Sequence, residues 1–435
     1  MTTFEAAAVR RFPPSTEVSP LLRVSSHTEV STDEEQVPSL NALPNEMLLK
    51  IFTYIPHKEL CNSVIPVCRR WYYLGLNPLL WEFIVLKNVT RKNFKRQIIA
   101  VNNRLNRAAR VKRLIVLSRQ KNVSERILQT IFPHCAMLNS LRIVNFELSE
   151  PMMSTFANSC SKLKTIEALV KSEEHFMSLS SFENLTSIKI KYYGRYEGIS
   201  NIVSVVKANK YLTELSITCL PLSCKTLKEL FKHFNFRMTS LKLVLPDSDK
   251  KSISSLLGSC NQLKKLSLIS EVKGQELDVW PLRNLNKLTF FELSGFDSTD
   301  LDRDLCKLFA TRNFTQLEIL SIVKFPSGSD ELLKTIVVTT PRLRALYISR
   351  WLRISDHGFE ILEQDLHIRT LFLKHIGDKF TGSCFVRIVP YMKYLTINNC
   401  EGVSLRMADK IERANPGLEL SVIGAVHYSL EDIFQ

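Results

Sequence analysis

The chain reads as an α/β solenoid, with short parallel strands on an inner face and helices outside, preceded by a small all-α hairpin. Three observations predict this. A six-residue apolar pattern, L-x-x-L-x-L with aliphatic substitutions, returns twelve times between Val111 and Ile397. Its first positions at 111 and 392 lie eleven steps apart, a mean period of about 25.5 residues. Upstream, Leu48, Ile51, Phe52 and Ile55 fall at i, i+3, i+4 and i+7, the spacing of one helix face rather than of a strand.

The repeating unit explains itself physically. Its second and third apolar residues are two apart, so they leave a short strand on the same side. Leu138/Leu141/Ile143, Leu263/Leu266/Leu268 and Leu343/Leu346/Ile348 are typical, and a degenerate thirteenth unit at Leu418–Val422 closes the series. The period lies in the leucine-rich-repeat range, which implies a horseshoe with strands on the concave side and helices on the convex side. No unit can bury its own apolar face, so each depends on its neighbours. Ser124, Ser329 and Ser404 stand where an N-cap serine would open the helix of a repeat. Phe296, Phe325, Trp351 and Ile376, with Phe146 and Leu220, share one register position and should form an inner apolar ridge.

In the hairpin, Leu43-Pro44 opens the first helix and Pro56 stops it. Leu60, Val64, Val67 and Trp71 recur at helical spacing in a second segment, and Trp81 follows ten residues later. Fewer than forty residues cannot close a core alone, so an apolar face should be left for a partner. Leu43-Pro44-x-Glu46, the run Val67-Cys68-Arg69-Arg70-Trp71 and Trp81 resemble the F-box, a helical hairpin by which receptor subunits dock onto the adaptor of cullin-RING ubiquitin ligases. The resemblance implies that Leu43, Pro44, Glu46, Ile51, Phe52, Leu60, Val67, Cys68, Trp71 and Trp81 contact the adaptor or shape the hairpin. Leu43 to Val67 is one residue longer than is usual in that family, and Pro66 sits inside the second helix. A bend at Pro66 should absorb the extra residue and return Val67 and Trp71 to one face.

The repeats also resemble the cysteine-containing subtype common in F-box proteins. Cys135, Cys160 and Cys260 each stand three residues before the first leucine of a unit, and Ile354-Ser-Asp-His-Gly358 matches that subtype's turn into its helix. The ten cysteines form no CxxC and no cluster at zinc-ligand spacing, so they are read as buried small hydrophobes.

The organisation expected is a solvated Ser/Thr/Glu/Pro-rich tail over 1–36, the F-box at 37–84, a basic linker helix at 85–110, repeats over 111–423 and a tail over 424–435. Phe94, Ile98, Val101, Leu105 and Ala108 give the linker one apolar stripe. Net charge is +15, and between Lys87 and Arg126 thirteen Lys/Arg face the single acidic Glu125. That segment is either a solvated outer face or a patch for nucleic acid or an acidic partner. Few aromatic residues interleave with it, which argues against single-strand stacking. No apolar run is long enough for a bilayer, and no signal segment opens the chain, so the expected location is the cytoplasm or nucleus.

Catalytic motifs are missing from the sequence: GxGxxG, the P-loop, HExxH and GxSxG do not occur. His357, His367 and His375 lie in neighbouring repeats but in different parts of the unit. His134 beside Cys135 invites a Cys/His pair, which the core register of Cys135 argues against. A non-catalytic receptor subunit is expected, with no metal or cofactor, a ligase adaptor and through it a cullin-RING scaffold as partners, and a protein substrate held on the repeats. Proximity would do the chemistry. The residues alternating with the apolar ones supply that surface: Arg142, Glu167, Lys189, Lys191, Lys242 and Lys265 early, and Tyr347, Phe372 and Tyr394 late, with Lys374 beside them. The three late aromatic residues are expected as an exposed stripe anchoring the substrate. Alternatively, residues 425–435 fold back over it. Trp351 belongs by register to the inner ridge. The second function carried forward is a non-ligase scaffold or nucleic-acid-associated protein using segment 87–126.

Overall fold

The computed structural model describes residues 40–87, 110–117, 135–147, 149–170, 177–192, 202–218, 222–234, 237–246, 250–271, 277–363, 367–388 and 392–423. The expected tails, the linker helix beyond residue 87 and the Ser124 cap lie outside the described residues. The chain divides into two compact units, 1–48 and 49–435, with the division falling inside the first helix.

Fourteen strands form one parallel sheet in strict sequence order: β1 Phe83–Lys87, β2 Arg113–Leu117, β3 Ser140–Glu147, β4 Thr165–Val170, β5 Ser187–Tyr192, β6 Glu214–Thr218, β7 Ser240–Val244, β8 Lys265–Ile269, β9 Phe290–Ser294, β10 Ile319–Val323, β11 Ala345–Ser349, β12 Thr370–Lys374, β13 Tyr394–Asn398 and β14 Glu419–Ile423. β2–β14 correspond to the thirteen units of the apolar pattern. β1 corrects the expectation of a linker helix beginning at residue 85. The residue before each strand explains why it belongs to the array. Its carbonyl accepts from two successive N–H groups of the next unit: Glu82 from Lys112 and Arg113, Lys112 from Asn139 and Ser140, Thr239 from Lys264 and Lys265. The ladder therefore starts at Glu82, outside any L-x-x-L-x-L match.

Helices follow several strands, among them α4 (Glu150–Ser159) after β3, α5 (Ile202–Ala208) after β5, α6 (Cys224–Phe234) after β6 and α7 (Lys250–Gly258) after β7. In α6 the buried residues Leu227, Leu230, Phe231 and Phe234 make one face at i, i+3, i+4 and i+7. One buried core runs continuously from Phe52 through the strand leucines to Leu418. Phe296, Phe325, Trp351 and Ile376 lie in it, as the inner ridge requires.

The cysteine position has a specific role. Cys135, Cys160 and Cys260 are buried, and in other units the same place holds Asn209, Thr340 or Asn415. Cys260 Sγ donates to Leu256 O (3.7 Å), Asn209 Nδ2 to Val205 O (2.9 Å), Thr340 Oγ1 to Ile336 O (2.7 Å) and Asn415 Nδ2 to Ile411 O (2.9 Å). The slot wants a small side chain that can donate to the carbonyl four residues back; at Val205 and Ile336 it adds a second donor to the main-chain N–H of the same residue, which already bonds that carbonyl. Burial pushes the Cys135 and Cys160 thiols up to about 12 and Cys260 to about 11.

Late repeats are tied together by aspartates in the first helical turn. α8 (Thr299–Ala310), α9 (Asp330–Thr339) and α10 (Asp356–Phe359) supply Asp302, Asp330 and Asp356. Asp302 accepts from Ser329 N and Oγ at 3.1 and 2.7 Å, and Asp330 accepts from Ser355 N and Oγ at 2.8 and 2.6 Å. Asp356 accepts from Thr381 and from Gly382 N. Each carboxylate thus satisfies the start of the next unit while its own charge faces a helix N-terminus. This accounts for the Ile354-Ser-Asp-His-Gly358 pattern: Ser355 reaches back to Asp330, Asp356 reaches forward, and a Cβ at Gly358 would strike the Asp330 carboxylate. Ser329 and Ser404 cap as expected, accepting from Leu332 N and Met407 N.

Candidate protein-docking surfaces

The first surface is the helical segment. α1 spans Asn45–Thr53, α2 spans His57–Glu59 and runs into a π-helical turn at Leu60–Val64, and α3 spans Arg69–Gly75. The extra residue is absorbed in the π turn, where Ile65 N bonds Leu60 O five residues back. This corrects the expected bend. Pro66 ends the segment, Cys68 takes an extended backbone with its Sγ accepting from Trp71 N, and a new helix begins. Val67 and Trp71 therefore do not share a helix face.

The family-type positions divide by burial. Phe52, Leu60 and Trp81 are interior and shape the fold. Trp81 is 0% exposed, and its Nε1 donates to Gly75 O at 2.8 Å. A Cβ at Gly75 would strike the Ile65 side chain. His57 packs against Trp81, with ring centroids 5.4 Å apart, and its Nε2 lies 2.8 Å from Leu80 O. Trp71 is half-buried and meets Phe52 edge-on at 5.3 Å. Leu43 and Cys68 are also half-buried, whereas Pro44, Glu46, Ile51 and Val67 are exposed, Val67 at 58%. Large exposed side chains outside the family pattern add to these: Tyr54, Tyr72, Tyr73 and Leu79. The legible signal for them was their place off the helical stripe that Phe52, Leu60 and Trp71 occupy. Such a density of exposed apolar residues is what a docking surface requires.

The second surface is the sheet face away from the strand leucines. One register row runs Ile115, Arg142, Glu167, Lys189, Ser216, Lys242, Ser267, Glu292, Ser321, Tyr347, Phe372, Thr396, Ser421. Its early part is charged and paired: Arg142 Nε lies 3.1 Å from Glu167, and Lys242 Nζ 3.5 Å from Glu292, which also accepts from Ser267 Oγ. Lys189, Lys191 and Lys265 are exposed.

The late part corrects the expected aromatic stripe. Tyr347 and Phe372 are paired in register, with rings 5.9 Å apart. Tyr394 instead pairs with Thr370, one row earlier. Tyr347 is 1% exposed, Phe372 is half-buried and Tyr394 is 37% exposed. All five residues of β11 are buried, so alternation along that strand no longer separates covered from open sides. Burial pushes the Tyr347 hydroxyl up to about 12. Lys374 stands in the next row, between Ser349 and Asn398, and is half-buried. Coverage of this face by residues 425–435 lies outside the described residues.

Among the described residues no group of three or more His, Cys, Asp or Glu could hold a metal ion, and no helix is long and apolar enough to cross a membrane.

Residues 40–87 match the F-box-like family. The fold resembles a chain in the crystal structure of a Rad7 and Elc1 complex in yeast, at TM-score 0.51 and 16% identity, covering 91% of this chain and 96% of that one. Weaker likenesses are to the TLR13–ssRNA13 complex (TM-score 0.40, 16% identity, 79% and 45% covered) and to the leucine-rich-repeat-containing protein LegL7 from Legionella pneumophila (0.36, 13%, 61% and 89%). The chain thus joins an F-box-like domain at 40–87 to a fourteen-stranded parallel array of the leucine-rich-repeat type.

Proposed function

We propose that this protein is the substrate-recognition subunit of an SCF-type ubiquitin ligase, in which the F-box-like hairpin docks the ligase adaptor and the repeats hold a protein substrate. The observation that carries this reading is the division of labour within the hairpin. Trp81, Phe52 and Leu60 fill its interior while Ile51, Val67, Tyr72 and Tyr73 remain exposed. A hairpin with no partner would expose fewer such groups, since each leaves apolar area in water at about 25 cal/mol per Å². The subunit needs no catalytic residue. It raises the local concentration of a substrate lysine near a ubiquitin-conjugating enzyme bound elsewhere on a cullin-RING scaffold. The cytoplasm or nucleus is where such an assembly would act.

The test is affinity purification of the full chain with a Val67→Asp/Tyr73→Asp variant beside it. Wild type is expected to bring down the adaptor and a cullin. The variant should lose both by about tenfold or more while melting like wild type, because neither side chain lies in the core. Equal recovery of the adaptor by the two proteins would refute this surface. A second partner deserves the same assay: a chain of similar fold occurs in a complex with Elc1, so an Elc1-like adaptor competes with the SCF type for this role.

A further inference from the structure

At the C-terminal ends of β7, β8, β9, β11 and β12, the residue after the strand donates its N–H to the last residue of the next strand. Leu245 bonds Ile269 O, Ser270 bonds Ser294 O, Gly295 bonds Val323 O, Arg350 bonds Lys374 O and His375 bonds Asn398 O. These residues form one column along the strand ends; after β10 it is Phe325 that bonds Ser349 O, and Lys324 takes its place in the column by following the strand directly. The column changes character abruptly. Leu245, Ser270 and Gly295 are uncharged, the next three are Lys324, Arg350 and His375, and Asn399 is uncharged again. Lys374 sits immediately inside the column, in register between Ser349 and Asn398. Lys324 and Arg350 are exposed, and Lys374 and His375 half-buried.

Two features set this cluster apart from an ordinary solvated face. The first is backbone conformation. Five consecutive column positions, Gly295, Lys324, Arg350, His375 and Asn399, hold φ 84°, 56°, 56°, 50° and 48°. Glycine occupies this region without the steric cost that a Cβ carries there. Lysine and arginine lack even the short local hydrogen bonding that eases asparagine into it, yet they stand in consecutive units. A non-glycine residue held in a sparsely populated region points toward function rather than away from it. The second is like charge gathered in adjacent units. Arg142, Lys112, Lys232 and Lys242 all have carboxylate partners. Among the described residues none of Lys324, Arg350, Lys374 and His375 takes part in an ion pair. They also feel one another: burial, Lys374 and Arg350 hold the His375 imidazole below its usual value, with Glu401 acting in the opposite sense.

We propose that the C-terminal ends of β10–β12 form a docking edge for an acidic polypeptide segment, with the cations of Lys324, Arg350 and Lys374 and the imidazole of His375 as its contacts. The dimensions favour a peptide over a nucleic acid. Three adjacent strand ends span two strand spacings, roughly 10 Å. That matches a few side-chain carboxylates, whereas single-strand binding tracks a longer backbone and stacks bases on aromatic rings. Tyr394, an exposed aromatic residue of the next unit, starts β13 and so stands at the opposite end of the strands. Arginine at the centre of the row can take a carboxylate in bidentate fashion.

The proposal deepens the receptor reading, which it needs only to call the bound segment a substrate. The experiment uses the full-length chain and fluorescein-labelled octaglutamate, with octalysine and oligothymidylate as comparison probes, read by fluorescence anisotropy at low and raised salt. Octaglutamate should bind, weaken with salt and outcompete oligothymidylate. The Lys324→Gly/Arg350→Gly/His375→Gly variant should bind it about tenfold more weakly, the sum expected of a few exposed ion pairs. Its melting temperature should equal or exceed that of wild type, because glycine suits the left-handed backbone. Lys374→Gln, which leaves that backbone untouched, should weaken binding by a smaller factor. Absence of octaglutamate binding, equal binding by the triple variant, or preferential oligothymidylate binding through the same residues would each overturn the proposal. Adaptor recovery measured on the same preparations separates the two readings. Loss of the adaptor with octaglutamate binding intact removes the receptor reading and leaves the edge standing.

Discussion

Two tryptophans show how differently the hairpin and the repeats are held. Trp81 and Trp351 are both fully buried, and each donates its indole N–H to a main-chain carbonyl. Trp81 reaches Gly75 O, six residues back in its own segment. Trp351 reaches Ile322 O, twenty-nine residues back in the neighbouring unit, and packs edge-on against Phe325 at 5.8 Å. The hairpin's own tryptophan is held by a local bond, while its interior joins the core of the array and its outer residues stay exposed. The array is closed only by contacts between units, so its stability is shared along the chain.

The largest effects should come from breaking these two closures. Either tryptophan truncated to alanine should cost about 3–5 kcal/mol. The consequences should differ in reach. Trp81→Ala should abolish adaptor recovery while hydrogen exchange in β5–β13 stays protected. Trp351→Ala should expose β10–β12 together and leave the hairpin intact. Exchange measured by mass spectrometry reads both, and equal spread from the two variants would dissolve the distinction.

A smaller effect should follow from the aspartate ties, which have no counterpart in the hairpin. Asp330→Ala leaves Ser355 N and Oγ without their acceptor and removes two charge-assisted bonds, at a cost of about 2–3 kcal/mol. Denaturant melts should show that loss, with opening confined to the units on either side of α9.

Acid should weaken the hairpin. Burial holds the His57 imidazole below its usual 6.5, with the Leu80 carbonyl bond opposing it. Unfolded His57 therefore takes up a proton at a higher pH than folded His57. Its contribution is full above about 6.5 and is lost as pH falls below that value. Adaptor-free thermal melts on either side of that pH should show the decline, and His57→Gln should remove it.

The smallest change expected is chemical rather than energetic. Cys61 and Cys68 in the hairpin are half-buried, whereas Cys135, Cys160 and Cys260 are buried with thiols raised to about 12, 12 and 11. A thiol-reactive probe near neutral pH should label the first pair and leave the other three until the array is unfolded. Early labelling of Cys160 would show that its unit opens on its own.

Much of this was legible in the residues. The apolar period identified thirteen of the fourteen strands, because each buried leucine pair must recur at the same phase for neighbours to stack. The F-box-like positions were legible because they combine several residue types in order. β1 was not, since Phe83–Lys87 lacks the pattern and earns its place through Glu82 O. The π turn was not either. Spacing shows that a residue is extra, but the hydrogen bond that absorbs it depends on what lies across the hairpin.

The recognition face shows where local reading ends. Alternation assigns Tyr347, Phe372 and Tyr394 to one side of the sheet, and that much follows from the period of a strand. Neighbouring units set which of them align, and the register puts Tyr394 one row away. Tertiary packing alone decides exposure, and it buries Tyr347 while leaving the cations of Lys324 and Arg350 at the strand ends in water. Period and composition are properties of the chain taken a few residues at a time. Register, burial and charge pairing are properties of residues about twenty-five positions apart brought side by side.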